Sequence, residues 1–184
     1  MDIVVFLLYE HLNTAQLGFD DPDRDVYFSS KGHDVPGLYA VLHSLDVVPT
    51  EKLLRLRRLD GLDGHPNVRV PGIEANSGSL GMGISKGRGI AWAKRQLGRS
   101  GRVVVMVGDG ELQEGQNFEA LQGAAHDRLS GLTVVVDRNE LVWRGRIGGE
   151  CSSARTVKEI PGREIARLYP QLRNVSGSAT LSRA

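Results

Sequence analysis

The stretch Val103-Val104-Val105-Met106-Val107-Gly108-Asp109-Gly110-Glu111 decides how this chain folds. Five consecutive apolar residues, four of them valine, have no polar alternation. Such a run suits a strand covered on both faces, as in a parallel sheet. Gly108-Asp109-Gly110 ends it, and the next residues read as a helix through about Leu129, with Phe118, Leu121, Ala125 and Leu129 in line. Leu132-Thr133-Val134-Val135-Val136 is a second run of the same kind, closed by Asp137-Arg138-Asn139. Strand, helix and strand within about 35 residues make a βαβ unit, which requires parallel strands. The expected class is therefore α/β, a parallel sheet flanked by helices.

The chemistry follows from where the strands end. In an open parallel sheet, ligands sit beyond the carboxyl ends of the strands. Asp109 stands at one such end, between glycines that let the backbone turn and approach a phosphate. The positive end of the following helix favours an anion there. Asn139 leaves the neighbouring strand end thirty residues later. A carboxylate and an amide oxygen in that arrangement suit magnesium, which takes oxygen ligands and commonly bridges protein to phosphate. Two other phosphate-binding patterns fail. Gly81-x-Gly83 has Lys86 where a dinucleotide fingerprint needs its third glycine, and no P-loop pattern occurs.

Upstream, Gly81 to Leu97 reads as a helix that Gly81, Gly83, Gly87 and Gly89 would weaken unless they let it lie close against another backbone. Residues 2–12 read as a buried helix, too short to span a bilayer and unlike a signal peptide. Leu38 to Leu45 has helical periodicity, with Leu38, Val41, Leu42 and Leu45 on one face. Thr50 is placed to cap a helix running through Leu59. Residues 13–36 read mostly as loop, and 60–80 as a long glycine- and proline-bearing segment of the kind that is either functional or disordered. Beyond Leu141 the pattern changes: residues 142–184 hold eight basic and three acidic residues and no sustained periodicity. The expected division is a domain over 1–141 and a divergent, weakly ordered tail over 142–184.

With 184 residues, 40% hydrophobic, the chain is long enough for one cored domain. Its net charge of +1 gives no reason to expect nucleic acid or a membrane surface as partner. Cys151 is the only cysteine, so no intramolecular disulfide is possible and the cytoplasm is the expected compartment.

The run Gly108-Asp109-Gly110-Glu111-Leu112-Gln113-Glu114-Gly115, with Asn139 thirty residues after Asp109, closely resembles the thiamine-diphosphate motif of transketolases. Ser30-Lys31-Gly32-His33 followed by Leu38-Tyr39-Ala40 is similar to that family's first cofactor loop. Gly64-His65-Pro66, Pro71-Gly72-Ile73-Glu74 and Gly78-Ser79-Leu80-Gly81-Met82-Gly83-Ile84-Ser85 are similar to its second. The likeness covers about residues 2–141, with the motifs in family order.

The resemblance implies thiamine diphosphate and Mg2+ as cofactors. It implies Asp109, the side chain of Asn139 and the backbone carbonyl of Leu141 as metal ligands, and Gly110 at the diphosphate. His33, Gly78 and Leu80 would contact the cofactor, with Ser79 where the family usually has proline. His33 and His65 would line the cofactor and substrate pocket, where an imidazole suits proton traffic on sugar hydroxyls near neutral pH. Glu114 resembles a residue at the family's dimer contact. His11, His43 and His126 match no motif. The expected activity is transfer of a two-carbon ketol unit between sugar phosphates. The alternatives are a noncatalytic remnant, or another thiamine-diphosphate enzyme such as a deoxyxylulose-phosphate synthase or a dehydrogenase E1 subunit.

Three parts of the family pattern are missing from the sequence. These are an upstream Ser-Gly-His, a further histidine downstream of Asn139, and the pyrimidine-binding domain whose glutamate sets up the cofactor. The chain is accordingly expected to be incomplete at both ends and to supply one wall of the site. It would need a pyrimidine-binding transketolase domain or subunit, in a homo- or hetero-oligomer, for activity.

Overall fold

A computed structural model describes residues 2–137, 141–142 and 145–146. At its centre is a three-stranded parallel sheet in the order β1-β2-β3, formed by Val26–Ser29 (β1), Val103–Gly108 (β2) and Leu132–Asp137 (β3). β2 is the middle strand, and Val103 to Val107 are all buried, as an uninterrupted valine run requires. β3 is only half-buried after Leu132.

β1 corrects the reading of residues 13–36 as loop. Val26-Tyr27-Phe28-Ser29 is wholly buried, but four residues without alternation carry too little periodicity to reveal a strand. The same segment also holds a one-turn helix, α2, Thr14–Leu17.

Two apolar layers cover the sheet. On one side, α1 (Asp2–Phe6), the π-helical turn Leu7–His11 that continues it, and α3 (Val35–Ser44) pack Val4, Leu7, Leu8, Val35, Leu38, Tyr39 and Leu42 against Val104 and Met106. The helix over 2–12 is thus buried on one face only, with Val5, Phe6 and Tyr9 exposed. On the other side, α5 (Gly83–Gln96) and α6 (Gly115–His126) pack Ile84, Ala91, Ala120 and Ala124 against Val103, Val105 and Val107. The glycines of α5 act in part as expected: a Cβ on Gly87 would stand 2.4 Å from Val105 Cγ2.

Two helix boundaries and one buried helix face differ from expectation. The helix placed over Thr50 to Leu59 closes after one turn, as α4 (Thr50–Leu53). Pro49 takes the cap position, and Arg57 and Asp60 adopt left-handed backbone angles that end regular structure. The helix expected directly after Gly110 begins as a 3-10 turn, Gly110–Gln113, breaks at the extended Glu114, and only then becomes α6. The buried face of α6 is Asn117, Ala120 and Ala124, one residue earlier than the line through Phe118 and Ala125. Leu141–Val142 (β4) and Gly145–Arg146 (β5) form a small antiparallel pair.

Candidate functional site

Because the sheet is parallel, β1, β2 and β3 release their chains at the same edge. The register puts Ser29 beside Met106 and Gly108 beside Asp137, so Ser30, Asp109 and Asp137 cluster there. The Asp109 amide donates to the Asp137 carbonyl at 3.3 Å, one step past the ladder. Asp109 caps the 3-10 turn through its own side chain, with Oδ1 accepting from the Gly110 amide at 2.9 Å. Asp109 and Gly110 therefore stand where the strand-end argument put them.

The first loop folds over this edge. Lys31 is buried, and its ammonium forms an ion pair with the Asp137 carboxylate, reaching past Gly108. His33 is exposed, and its Nδ1 lies 3.0 Å from the Lys31 carbonyl. A carbonyl can only accept, so Nδ1 carries the hydrogen and Nε2 is left to take a proton.

The second loop closes against the first at two glycines. Gly32 and Gly78 have φ of +69° and +122°, conformations that side chains disfavour. A Cβ on Gly32 would stand 2.5 Å from Gly78 Cα and 2.8 Å from His65 Cδ2; one on Gly78 would stand 2.5 Å from His65 Cδ2. The three residues thus form one close contact, with the exposed His65 ring lying over both backbones. The backbone of His65 is held from beneath by the buried Tyr39, whose hydroxyl donates to its carbonyl at 3.3 Å. Burial, helped by the nearby Asp63 carboxylate, pushes the Tyr39 hydroxyl pKa up to about 12, which keeps it a donor at neutral pH. Ser79 and Leu80 follow, both exposed.

Sequence reasoning missed the residue that joins these parts. Glu111 is 3% exposed. Its Oε1 accepts from the Ser30 hydroxyl and from the Gly81 amide (2.7 Å), and its Oε2 from the Gly108 amide at 3.3 Å. Ser30 Oγ in turn accepts from the Gly83 amide at 3.1 Å. Ser30, Lys31 and Glu111 all lie inside the family-like motifs, and a polar residue within three positions of the end of a buried strand was the available signal.

The predicted site residues His33, His65, Gly78, Ser79, Leu80, Asp109 and Gly110 lie on loops that meet at this edge. Asn139 lies outside the described residues. Leu141 is described only as backbone, in β4. Among the described residues no group of three His, Cys, Asp or Glu side chains could hold a metal. The parts present nevertheless fit an anionic ligand bridged by a hard cation. They combine one carboxylate at a strand end, glycine backbones free of side chains, a buried ammonium, and the Ser77 hydroxyl buried without a hydrogen-bond partner on the second loop.

Comparison with known proteins agrees with this geometry. Residues 1–158 match the family model for the transketolase thiamine-diphosphate-binding domain. The chain is 36% identical over 147 residues to one subunit of the apulose-4-phosphate transketolase of Actinobacillus succinogenes, covering 79% of this chain and 53% of that one. It is 34% identical over 146 residues to human transketolase-like protein 2, covering 78% of this chain and 23% of that one. Among solved structures, a variant transketolase of Pichia stipitis superposes with a TM-score of 0.74 at 28% identity, over 92% of this chain and 26% of that one. The transketolase of Leishmania mexicana does so with a TM-score of 0.70 at 28% identity, over 83% and 25%.

The fold and the family match thus define a thiamine-diphosphate-binding domain of the α/β type. The chain belongs to the transketolase family, and it spans about half the length of one relative and a quarter of the others.

Proposed function

We propose that this chain is the amino-terminal, diphosphate-binding part of a transketolase-like enzyme. In this reading Asp109, Asn139 and the Leu141 carbonyl hold Mg2+, and Gly110 meets the cofactor diphosphate. Gly78, Ser79, Leu80 and His33 line the rest of the cofactor. Thiamine diphosphate, when bound, supplies the nucleophilic carbon on which a two-carbon ketol unit is carried. The protein's own part is to orient it and to move protons. His33 is suited to that by the hydrogen held on its Nδ1, and His65 by its place over Gly32 and Gly78.

The observation carrying this reading is the contact of Gly32, Gly78 and His65, three motif residues that the fold brings together from separate segments. The partner is a pyrimidine-binding transketolase domain or subunit, and the substrates are sugar phosphates. Support for a separate partner comes from the Actinobacillus succinogenes relative, which is itself named as a subunit. The domain occupies residues 1–141, with 142–184 a divergent tail, and Glu114 lies at the contact with the partner. The proposed compartment is the cytoplasm; among the described residues no helix is long and apolar enough to cross a membrane.

Calorimetric titration with thiamine diphosphate tests the cofactor site. Binding should require Mg2+ and should weaken at least about tenfold in Asp109→Ala, since magnesium loses its carboxylate ligand. Affinity unchanged by the substitution would refute the ligand assignment. Mixing the chain with a pyrimidine-binding partner should then give ketol transfer between sugar phosphates. Cofactor binding without transfer would point to a noncatalytic binding module.

A further inference from the structure

We infer that Glu111 is a positioning residue. Its buried carboxylate clamps the two cofactor loops to the end of β2 and so sets the width of the site that Asp109 and Gly110 border. The inference rests on the function proposed above but reaches a residue outside that ligand set.

The hydrogen bonds are distributed in a way that packing alone does not explain. Glu111 is 3% exposed, in the turn directly after Asp109-Gly110. One carboxylate accepts from two places distant in the chain, the Ser30 hydroxyl on the first loop and the Gly81 amide (2.7 Å) on the second, and from the Gly108 amide (3.3 Å) three residues back at the end of β2. Ser30 Oγ passes the tie on by accepting from the Gly83 amide at 3.1 Å, at the start of α5. The backbone of Glu111 is itself secured. Asn117, fully buried on α6, donates from Nδ2 to the Glu111 carbonyl at 2.6 Å.

A carboxylate suits this position because it is acceptor-only and has room for several donors. An amide in its place offers one oxygen and one NH2. With the oxygen kept toward Ser30 and Gly81, the NH2 would face the Gly108 amide, donor against donor. Gly108 precedes Asp109, so a shift at that amide passes directly to the proposed metal ligand. A shift at Gly81 passes to Gly78, Ser79 and Leu80. Glu111→Gln therefore keeps shape and burial while breaking one arm of the clamp.

The test compares three full-length chains: the unaltered protein, Glu111→Gln, and Val104→Ala, which trims the core far from the loops. Amide-resolved hydrogen exchange is read first, without cofactor. In Glu111→Gln the Gly108 amide should exchange about tenfold faster, the effect of one lost buried hydrogen bond, while the Gly81 amide keeps its acceptor. Amides of β2 and β3 up to Val107 and Val136 should keep their protection relative to Val104→Ala. Titration with Mg2+ and thiamine diphosphate is read second. Affinity should fall about tenfold in Glu111→Gln and stay near that of the unaltered chain in Val104→Ala.

Unchanged exchange at Gly108, or an equal loss of affinity in Val104→Ala, would overturn the inference. If Glu111→Gln does not fold, Ser30→Ala removes one donor and the relay to Gly83, and must show the same pattern at the Gly83 amide. An unaltered chain that binds no cofactor in the presence of Mg2+ would refute the function proposed above. The exchange measurement would still decide whether Glu111 clamps the loops.

Discussion

Lys31, just past the end of β1, pairs with Asp137 at the end of β3, crossing the strand that lies between them. The two residues are 106 positions apart, and the contact bridges all three strands at the edge where the site lies. The Lys31 side chain is 7% exposed and that of Asp137 30%, so the pair is shielded on one side and open on the other.

Lys31→Met should lower stability by about 1–3 kcal/mol, because it leaves the Asp137 carboxylate half-buried without its counter-charge. Urea unfolding measures this. The double variant Lys31→Met/Asp137→Asn should recover part of the loss, since the penalty lies in the charge left behind. Purely additive losses would mean that the pair contributes nothing as a pair.

Gly78→Ala should be costly for two separable reasons. The residue sits at φ +122°, and its Cβ would stand 2.5 Å from His65 Cδ2. Strain of this kind costs about 1–3 kcal/mol. Adding His65→Ala removes the clash but not the backbone strain, so the double variant should regain only part of the lost thermal midpoint. Full recovery would show that the backbone angle is easily tolerated.

His33→Ala should reduce ketol transfer in the enzyme reconstituted with its partner by about 10²–10⁴-fold, the usual contribution of a positioned proton-transfer group. Cofactor affinity should change far less, because His33 is exposed and both its ring and its backbone amide bond back to the Lys31 carbonyl. Comparing steady-state rates with calorimetry separates the two effects. An equal loss in both would make His33 a binding group only.

Acid should unfold the protein partly through Asp25. Burial alone would raise its pKa, but hydrogen bonds from the Arg102 side chain and amide and from the Asn13 amide outweigh this and hold it below the ordinary value of 3.8. The unfolded chain therefore binds the proton more readily than the folded one. Stability from this group is fully present above about pH 4 and is lost as pH falls through the depressed folded value. Asp25→Asn should lower stability at neutral pH and flatten its decline below pH 4, read from denaturant midpoints across the range. A decline as steep as in the unaltered protein would move the acid sensitivity to other carboxylates.

Local pattern determined much of this protein. Two apolar β-branched runs and the Gly-Asp-Gly between them define a parallel sheet and point to its carboxyl edge as the place to look for a ligand, because strand burial and turn geometry are settled within a few residues. The same locality made α3 legible through Leu38, Val41 and Leu42, and α5 legible in spite of its glycines. It missed β1, whose four residues are too few to show a period, and it ran the helix after Thr50 on too far, where Arg57 and Asp60 turn left-handed.

Only the tertiary structure decided what holds the site in shape. Lys31 meets Asp137, His65 covers Gly32 and Gly78, and Glu111 ties Ser30, Gly81 and Gly108 together. These contacts join segments tens of residues apart. A hydrogen bond or a close backbone approach depends on where packing of the helices on the sheet brings the chain, and residue order alone does not contain that distance.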